Sequence, residues 1–369
     1  MKYKIYQVKP FINNNELQEI KKTINKNFIT EGPQSKKFLK KLLKITKCKY
    51  GVLAPNGTLA LTVAMMSLNL KKGDEIIIPN FTFYGSYSAA ILAGLKPVLC
   101  DVDRENFQID VNSAKKVITS KTKAIMPVHI YGGSVHMENV VKFSKKYNIK
   151  IIEDAAQALG VKYKGKPAGS FGDVSAFSFY ADKSLTTGEG GLIVTNSKKI
   201  HNKLLLIRNQ GRIKSGSFIH NSLGYNFRFN DLLASTGIAQ LKKFKLIQKN
   251  KYKIYNKFKN ELKNVKEIKF FKPIKNSTFI PFRVPIIVKK LKSLIIFLEK
   301  NKIQTRGFFY PLHSQKGVNP KFIKNKRDDL FFQNSIYGND NGLALPCYPT
   351  LSNKDILFIC KIIKKFYVK

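Results

Sequence analysis

The 369-residue chain has no tryptophan, four cysteines, five histidines and only 23 acidic residues. Each shortage excludes something. Cys48, Cys100, Cys347 and Cys360 show no C-x-x-C spacing, and no histidine stands at metal-ligand distance from them in the sequence. That argues against a zinc module and a disulfide framework, and the cysteines read as reduced, mostly buried thiols. No metal is expected. No stretch approaches the ~18 apolar residues of a membrane span. The first residues, Met1-Lys2-Tyr3-Lys4-Ile5-Tyr6, lack the apolar core of a signal peptide. The expectation is a cytoplasmic protein with no membrane span.

Arginine is also scarce. Of 66 basic residues only seven are arginine, yet the net charge is +43. A dedicated nucleic-acid surface draws on arginine, whose planar fork reads phosphates and bases bidentately. Here lysine, asparagine and isoleucine are heavily used together, which points to a compositional bias of the source genome. The lysines are spread along the chain, without a helix-turn-helix, zinc-finger or aromatic RNA-binding signature. Specific nucleic-acid binding is not expected, although a non-catalytic nucleic-acid-binding or regulatory protein stands as the competing class. Residues 35–49 make the same point locally. Phe38, Leu39, Leu42, Leu43 and Ile45 share one helical face, and Lys36, Lys37, Lys40, Lys44 and Lys47 lie mostly on the other. This predicts a solvated face of a surface helix, with a membrane-lying segment as the alternative.

Hydrophobic content of 43% and charged content of 24% are those of a globular protein. The length suits two domains at about 100–200 residues each. Short apolar runs at 75–79, 97–101, 124–129, 150–154, 174–179 and 191–195 predict strands. Between several of them, 59–68, 84–93 and 135–147 predict helices. Such alternation argues for an α/β fold with a mostly parallel sheet covered on both faces. Ligands then sit at the carboxyl ends of the strands. From residue 230 the pattern changes to a long helix (231–262), a Pro-punctuated strand region (280–288), a helix (291–301) and a final helix (354–366). This predicts a large α/β domain over 1–240, with an N-terminal arm, and a smaller α+β domain over 241–369.

The chemistry concentrates between residues 153 and 191. Glu153-Asp154 closes an apolar run and is followed by Ala155-Ala156-Gln157. Phe177-Ser178-Phe179 leads into Asp182-Lys183-Ser184-Leu185-Thr186-Thr187-Gly188-Glu189-Gly190-Gly191. A carboxylate at a strand end, a serine and a lysine before a Gly-rich turn are the parts that hold pyridoxal 5'-phosphate (PLP). The carboxylate keeps the pyridine nitrogen protonated, so that the ring acts as an electron sink. The lysine forms the Schiff base, and the serine hydroxyl can bind phosphate. Asn56-Gly57-Thr58, before an apolar helix, offers backbone N–H groups and a hydroxyl to a phosphate. Each piece also has a plainer reading. Asn56-Gly57-Thr58 fits an ordinary N-cap. Asp154 with Gln157 fits a capping box on a helix starting at Ala155. Lys183 is one of many lysines, and the glycines fit a tight turn.

Taken together, these segments resemble the sugar-nucleotide aminotransferases of the DegT/StrS type, a branch of the fold-type I PLP-dependent transferases. The resemblance runs over nearly the whole chain. It includes Glu31-Gly32-Pro33, Gly73-Asp74-Glu75, Phe81-Thr82-Phe83, Pro127-Val128-His129, Gly169-Ser170-Phe171-Gly172-Asp173 and Gly224-Tyr225-Asn226-Phe227-Arg228, besides the segments above. It implies that Lys183 carries the cofactor, Asp154 partners its pyridine nitrogen and Gln157 contacts its 3-oxygen. It implies that Phe83 stacks on the ring and that Gly57, Thr58 and Ser178 form the phosphate site. Asn226 matches a residue reaching the phosphate of a neighbouring subunit's cofactor, which implies a homodimer with shared active sites. Relatives with His in place of the lysine catalyse a dehydration; Lys183 favours transamination. Arg208-Asn209-Gln210-Gly211-Arg212 departs from the family pattern in having Gln where many relatives have His. The implied partners are glutamate and a nucleotide-linked keto-sugar, for surface polysaccharide or other glycan assembly. Arg212, Arg228, Arg306, His313 and Lys316 are candidate partners of the sugar's diphosphate. Phe179-Tyr180-Ala181-Asp182-Lys183, Ser217-Phe218-Ile219-His220 and Phe309-Tyr310-Pro311-Leu312-His313-Ser314-Gln315 resemble most the branch acting on GDP-linked 4-keto-6-deoxymannose. UDP- or dTDP-linked keto-sugars come next, and a PLP enzyme making an aromatic amine or a deoxysugar is a further alternative.

Overall fold

Apolar runs such as Ile76-Ile77-Ile78 and Ile151-Ile152 have no polar alternation, so both faces of their strands must be covered. A computed structural model of the protein, describing residues 3–213, 216, 218–320 and 329–368, shows how. Met1, Lys2 and Ser217 of the sequence reading lie outside the described residues. The large sheet contains β1 (Tyr50–Ala54), β2 (Glu75–Pro79), β3 (Lys96–Cys100), β4 (Thr122–Ile125), β5 (Lys150–Asp154), β8 (Val174–Ser178) and β9 (Gly191–Thr195). A two-stranded ribbon, β6 (Lys162–Tyr163) and β7 (Lys166–Pro167), lies between β5 and β8 in the chain. The order across the large sheet is β1-β9-β8-β5-β4-β2-β3, parallel except that β9 runs antiparallel to both neighbours.

Helices α1 (Asn14–Ile24), α2 (Pro33–Thr46), α3 (Gly57–Met66), α4 (Tyr84–Leu92), α5 (Val111–Val117), α6 (Met137–Tyr147) and α7 (Lys198–Arg208) come from this part of the chain. Helix α3 is buried from Ala60 to Met65 because it packs on the sheet and also meets α4 and α7. The basic helix predicted over 35–49 is α2. Its apolar side, with Phe38 and Leu42 buried, packs into the protein and its lysines face solvent. The surface-helix reading therefore holds. Strand β1 is not among the strands that the apolar runs predict. The four cysteines are free and buried. No described helix is long and apolar enough to cross a membrane.

The second sheet is antiparallel, in the order β10-β11-β13-β12, from β10 (Ile268–Phe270), β11 (Val284–Val288), β12 (Arg306–Gly307) and β13 (Gly342–Leu345). Around it lie α9 (Leu291–Lys300), α10 (Gln333–Asn341) and α11 (Asn353–Tyr367). Helix α8 (Asp231–Leu262) has 32 residues and at 1.5 Å per residue is about 48 Å long. Its first half, with Ala234, Ile238 and Phe244, shares a core with Phe38 and Phe179. Its last half, with Ile254, Tyr255, Phe258 and Leu262, shares one with the small sheet. A boundary at residue 240 thus falls inside one unbroken helix.

The start of α8 also fastens α2. Gly32 begins α2 with no side chain to cap it, and Pro33 follows at the first helical position. Asp231 supplies the cap from a distance. Its carboxylate accepts from the backbone N–H groups of Gly32 (2.8 Å), Gln34 (2.9 Å) and Ser35 (2.8 Å) and from the Ser35 hydroxyl (2.6 Å). An Asp231→Ala substitution leaves these buried donors unpaired and should cost about 2–4 kcal/mol. It should lower the urea midpoint of the intact protein, with Asp231→Asn falling between the two. An unchanged midpoint for Asp231→Ala would refute this account.

Candidate active site

Strand register assembles the site. Ala54 at the end of β1 pairs with Gly191 at the start of β9, and Gly191 pairs with Ser178 at the end of β8. The turn after β1 therefore meets the end of β8. Gly57 lies so close that a β-carbon on it would sit 2.8 Å from Ser178 Cβ and 3.1 Å from its Oγ. Asn56 caps α3, its side-chain oxygen accepting from the Leu59 N–H at 2.9 Å. The predicted N-cap and the predicted phosphate site are thus the same structure: an anion at the start of α3 would meet Gly57, Thr58 and Ser178. Thr58 Oγ1 and the Phe83 ring both lie within about 3 Å of where a Gly85 Cβ would stand. Phe83, just before α4, is 66% exposed.

Strand β5 is the neighbour of β8, so Asp154 at its end lies beside Ser178's strand. Asp154 is buried. Its Oδ2 accepts from Ser86 Oγ at 2.8 Å, and its Oδ1 accepts from the Ala156 N–H at 3.1 Å. Ser86 in turn lies 3.0 Å from Thr82 Oγ1. No helix starts at Ala155, so the capping-box alternative is corrected. Gln157 instead accepts from the Tyr131 N–H at 2.7 Å, which links the turn after β5 to the segment after β4. Burial pushes the Asp154 carboxyl up from its usual 3.8, while the Ser86 hydroxyl, the Ala156 N–H and the Lys183 charge oppose the rise.

Beneath Asp154, Glu153 is fully buried and takes every donor around it. It accepts from the His129 ring at 2.9 Å, from the N–H groups of Gly169 (2.7 Å), Phe171 (2.6 Å) and Gly172 (2.6 Å), and from Ser175 Oγ at 3.2 Å. Burial alone would raise its pKa. The His129 ring and the backbone donors outweigh burial and hold the carboxyl below its ordinary 4.5. His129 completes the clamp, since its N–H donates to the Asp154 carbonyl at 2.9 Å and its Nδ1 accepts from the Val135 N–H at 3.0 Å.

Lys183 is not a surface lysine. It sits in the loop after β8, which is folded back by Phe179 N–H to Gly190 O (2.8 Å) and Thr187 N–H to Phe179 O (2.9 Å). Gly188 (φ +84°) and Gly190 (φ +153°) supply the left-handed backbone this turn needs. The Lys183 amine lies 3.5 Å from Asp182 Oδ1 and 4.4 Å from the centre of the Phe282 ring. Burial lowers its pKa from the usual 10.5. Asp182 and Asp154 pull it up, and Arg283 pushes it further down.

The remaining candidates scatter. Asn226 is exposed and bridges to Asn209. Arg228 donates to Asn209 Oδ1 at 2.9 Å, and Arg212 donates to Gln210 Oε1 at 2.9 Å. Arg306, on β12, and Lys316 are exposed. His313 is buried, stacks on Phe332 at 4.6 Å, and its ring nitrogens meet Asn80, Asp329 and Ser314. The sequence reading assigned no role to Ser86, His129, Glu153, Asp182, Phe282 or Arg283. Glu153, His129 and Asp182 stood inside recognised motifs. Arg283, one of seven arginines, was marked only by its rarity.

The residues fit PLP. Gly57 leaves a cradle that a side chain would fill, α3 presents its N-terminus, and a buried carboxylate that burial disfavours matches a cationic ring nitrogen. A buried amine of lowered pKa completes the set. Sheet, phosphate cradle, carboxylate and lysine together define a PLP-dependent aminotransferase. The chain belongs to the DegT/DnrJ/EryC1/StrS aminotransferase family, whose profile matches residues 10–364. It is 34% identical to GDP-perosamine synthase of Escherichia coli O157:H7, over 100% of this chain and 99% of that one. It is 33% identical to GDP-perosamine synthase of Vibrio cholerae, over 97% and 98%. The putative sugar aminotransferase Spr1654 from Streptococcus pneumoniae, in its PMP form, superposes with a TM-score of 0.91 at 25% identity, covering 99% and 98%; a PLP form has also been solved. The protein is a PLP-dependent sugar aminotransferase.

The Glu153 clamp carries a pH signature. A carboxyl whose folded pKa lies below its unfolded value adds stability above about pH 4.5, and that stability is lost as pH falls through the folded value. Glu153→Gln should be less stable than wild type near neutrality, because its amide points N–H groups at backbone N–H groups. The gap should narrow below pH 4.5. Thermal midpoints from pH 3 to 8 test this; a gap constant across the range would refute it.

Proposed function

We propose that the enzyme transfers the amino group of glutamate to C4 of a nucleotide-linked 4-keto-6-deoxy sugar. GDP-4-keto-6-deoxymannose is the first candidate, giving GDP-perosamine, with UDP- and dTDP-linked 4-keto sugars next. The observation that carries the proposal is the similarity to two GDP-perosamine synthases over almost the full length. Such a product would feed the assembly of a surface polysaccharide, for instance a lipopolysaccharide O-antigen, from the cytoplasm.

Each residue has a task in this reading. Gly57, Thr58 and Ser178 would hold the phosphate, and Phe83 would stack on the ring. Asp154, oriented by Ser86, would keep the ring nitrogen protonated. Gln157 would contact the 3-oxygen. PLP, when bound, supplies the electron sink for the carbon that loses its proton. Lys183 Nζ anchors the cofactor at rest. Once freed by the amino donor, it takes the proton from the donor carbon and returns it as a positioned base and acid. The same atom runs the reverse sequence after the oxo acid leaves and the keto-sugar enters, so the kinetics should be ping-pong. Arg212, Arg228, Arg306, His313 and Lys316 are the candidate partners of the diphosphate.

Asn226 supports a homodimer with shared sites. It is exposed, and just before it in the chain Phe218 (93% exposed), Ile219 and Leu223 have exposed apolar side chains. A second copy of the chain would cover them.

Two experiments test these proposals. The enzyme is incubated with glutamate and each of GDP-, UDP- and dTDP-linked 4-keto-6-deoxy sugars, and products are read by mass spectrometry and NMR. GDP-linked 4-amino sugar is expected to form fastest; a 3-amino product, or turnover of the UDP sugar alone, would overturn the substrate assignment. Mixing inactive Lys183→Ala subunits with Asn226→Ala subunits should restore part of the activity, because one of the two sites in each mixed dimer keeps both residues. No recovery despite proven subunit exchange would refute sharing.

A further inference from the structure

Two elements distant in the chain meet the Lys183 amine. Asp182, next to it in sequence, is pinned through Oδ2 by Arg283 Nη2 at 2.7 Å. Arg283 stands just before β11 of the small sheet, and its other nitrogen donates to the Gln7 carbonyl in the N-terminal arm at 3.2 Å. Asp182 Oδ1 is buried without a hydrogen-bond partner, and Lys183 Nζ lies 3.5 Å from it. That separation is an ion-pair distance, longer than a formed charge-assisted bond. The Phe282 ring completes the enclosure, with Lys183 at 4.4 Å and Arg283 at 4.7 Å from its centre.

We propose that Asp182 and Arg283 form a positioning pair for Lys183, in which Arg283 occupies one carboxylate oxygen and leaves the other as the resting dock of the free amine. This rests on the reading of Lys183 as the cofactor lysine. An unshared carboxylate beside a buried lysine would hold it as a tight ammonium pair, too stable to act as a base. A neutral neighbour would leave the long side chain unanchored after each release. Arg283 divides the carboxylate's charge between two cations and so tunes the amine between these limits. It also makes the protonation of Lys183 depend on the small sheet and the N-terminal arm, which contribute no group to the cofactor cradle.

Among the described residues, the charged and titratable groups around the amine are Asp182, Arg283, Asp154 on β5, Lys251 on α8, and Lys9, Cys347 and Tyr348 lining the same cavity. Lys251 is itself buried, pushed down to about 8 by burial, and donates to the Phe282 carbonyl at 3.3 Å.

The test uses the full-length holoenzyme with the cofactor in its aminated form, which leaves Lys183 free. Competitive acetylation across pH, with mass spectrometry of the Lys183 peptide, gives the titration midpoint of that amine. Asp182→Asn, which keeps the shape, should lower the midpoint by about 1 unit or more, and Arg283→Gln should raise it by a similar amount. Arg283→Lys should stay near wild type. Opposite shifts from the two members of one pair are not expected of a merely structural bridge. If both variants move the midpoint the same way, or if Asp182→Asn leaves it in place, the proposal is overturned. Should Arg283→Gln fail to fold, Asp182→Asn against Arg283→Lys still decides. Borohydride reduction of the PLP form keeps the two ideas apart. A pyridoxyl group on Lys183 supports its cofactor role, and a label on another lysine removes that role whatever the midpoints show.

Discussion

A carboxylate taken wholly out of water must find a donor for each of its lone pairs, and Glu153 does so by collecting them from three parts of the chain. The His129 ring comes from the segment after β4, the Gly169, Phe171 and Gly172 N–H groups from the turn before β8, and the Ser175 hydroxyl from β8 itself. A buried charge left unpaired is strongly destabilising, so these segments are held where Glu153 puts them. Asp154 is the next residue. Its carboxylate points to the opposite side of β5, at the mouth of the sheet, with its position fixed by a neighbour that makes no direct contribution to the chemistry.

The site lies where the sheet reverses direction. β9 runs antiparallel between β1 and β8, and this one reversal brings the turn after β1, the end of β8 and the lysine loop together. Gly57 and Ser178 touch because Gly191 pairs with both strand ends. The glycines of the lysine loop allow the chain to fold back so that Lys183 enters the protein.

Above this cradle the small sheet and the N-terminal arm close over the lysine. Phe282, Arg283 and Gln7 reach it from elements that share their core with the second half of α8. One helix of about 48 Å carries both cores, so the two sides of the site are joined by a rigid rod as well as by a buried ion pair. The candidate partners of a diphosphate come from other parts of the chain: Arg306 from β12, Lys316 from the segment after it, and Arg212, Arg228 and Asn226 from between α7 and α8.

Periodicity and motif order by themselves determined much of this protein. The parallel strands were legible as uninterrupted apolar runs, which only strands covered on both faces require. The long helix was legible from its period, and Lys183 stood out as the candidate cofactor lysine from the company it keeps between Ser178 and the Gly188–Gly191 turn. What the linear pattern could not decide were contacts between residues far apart in number. Asp154 and Gln157 spell a capping box, but a local spelling is silent on whether a helix follows, and the turn after β5 spends both side chains on other partners. His313 is a candidate ligand by residue type, and that its ring stacks on Phe332 and meets Asn80 is set by the fold. Asp182 and Arg283 are 101 positions apart. Only the fold brings the loop after β8 and the start of β11 to one amine and makes their charges a pair, since a charge's partner is chosen by distance and dielectric, and neither exists until the chain has folded.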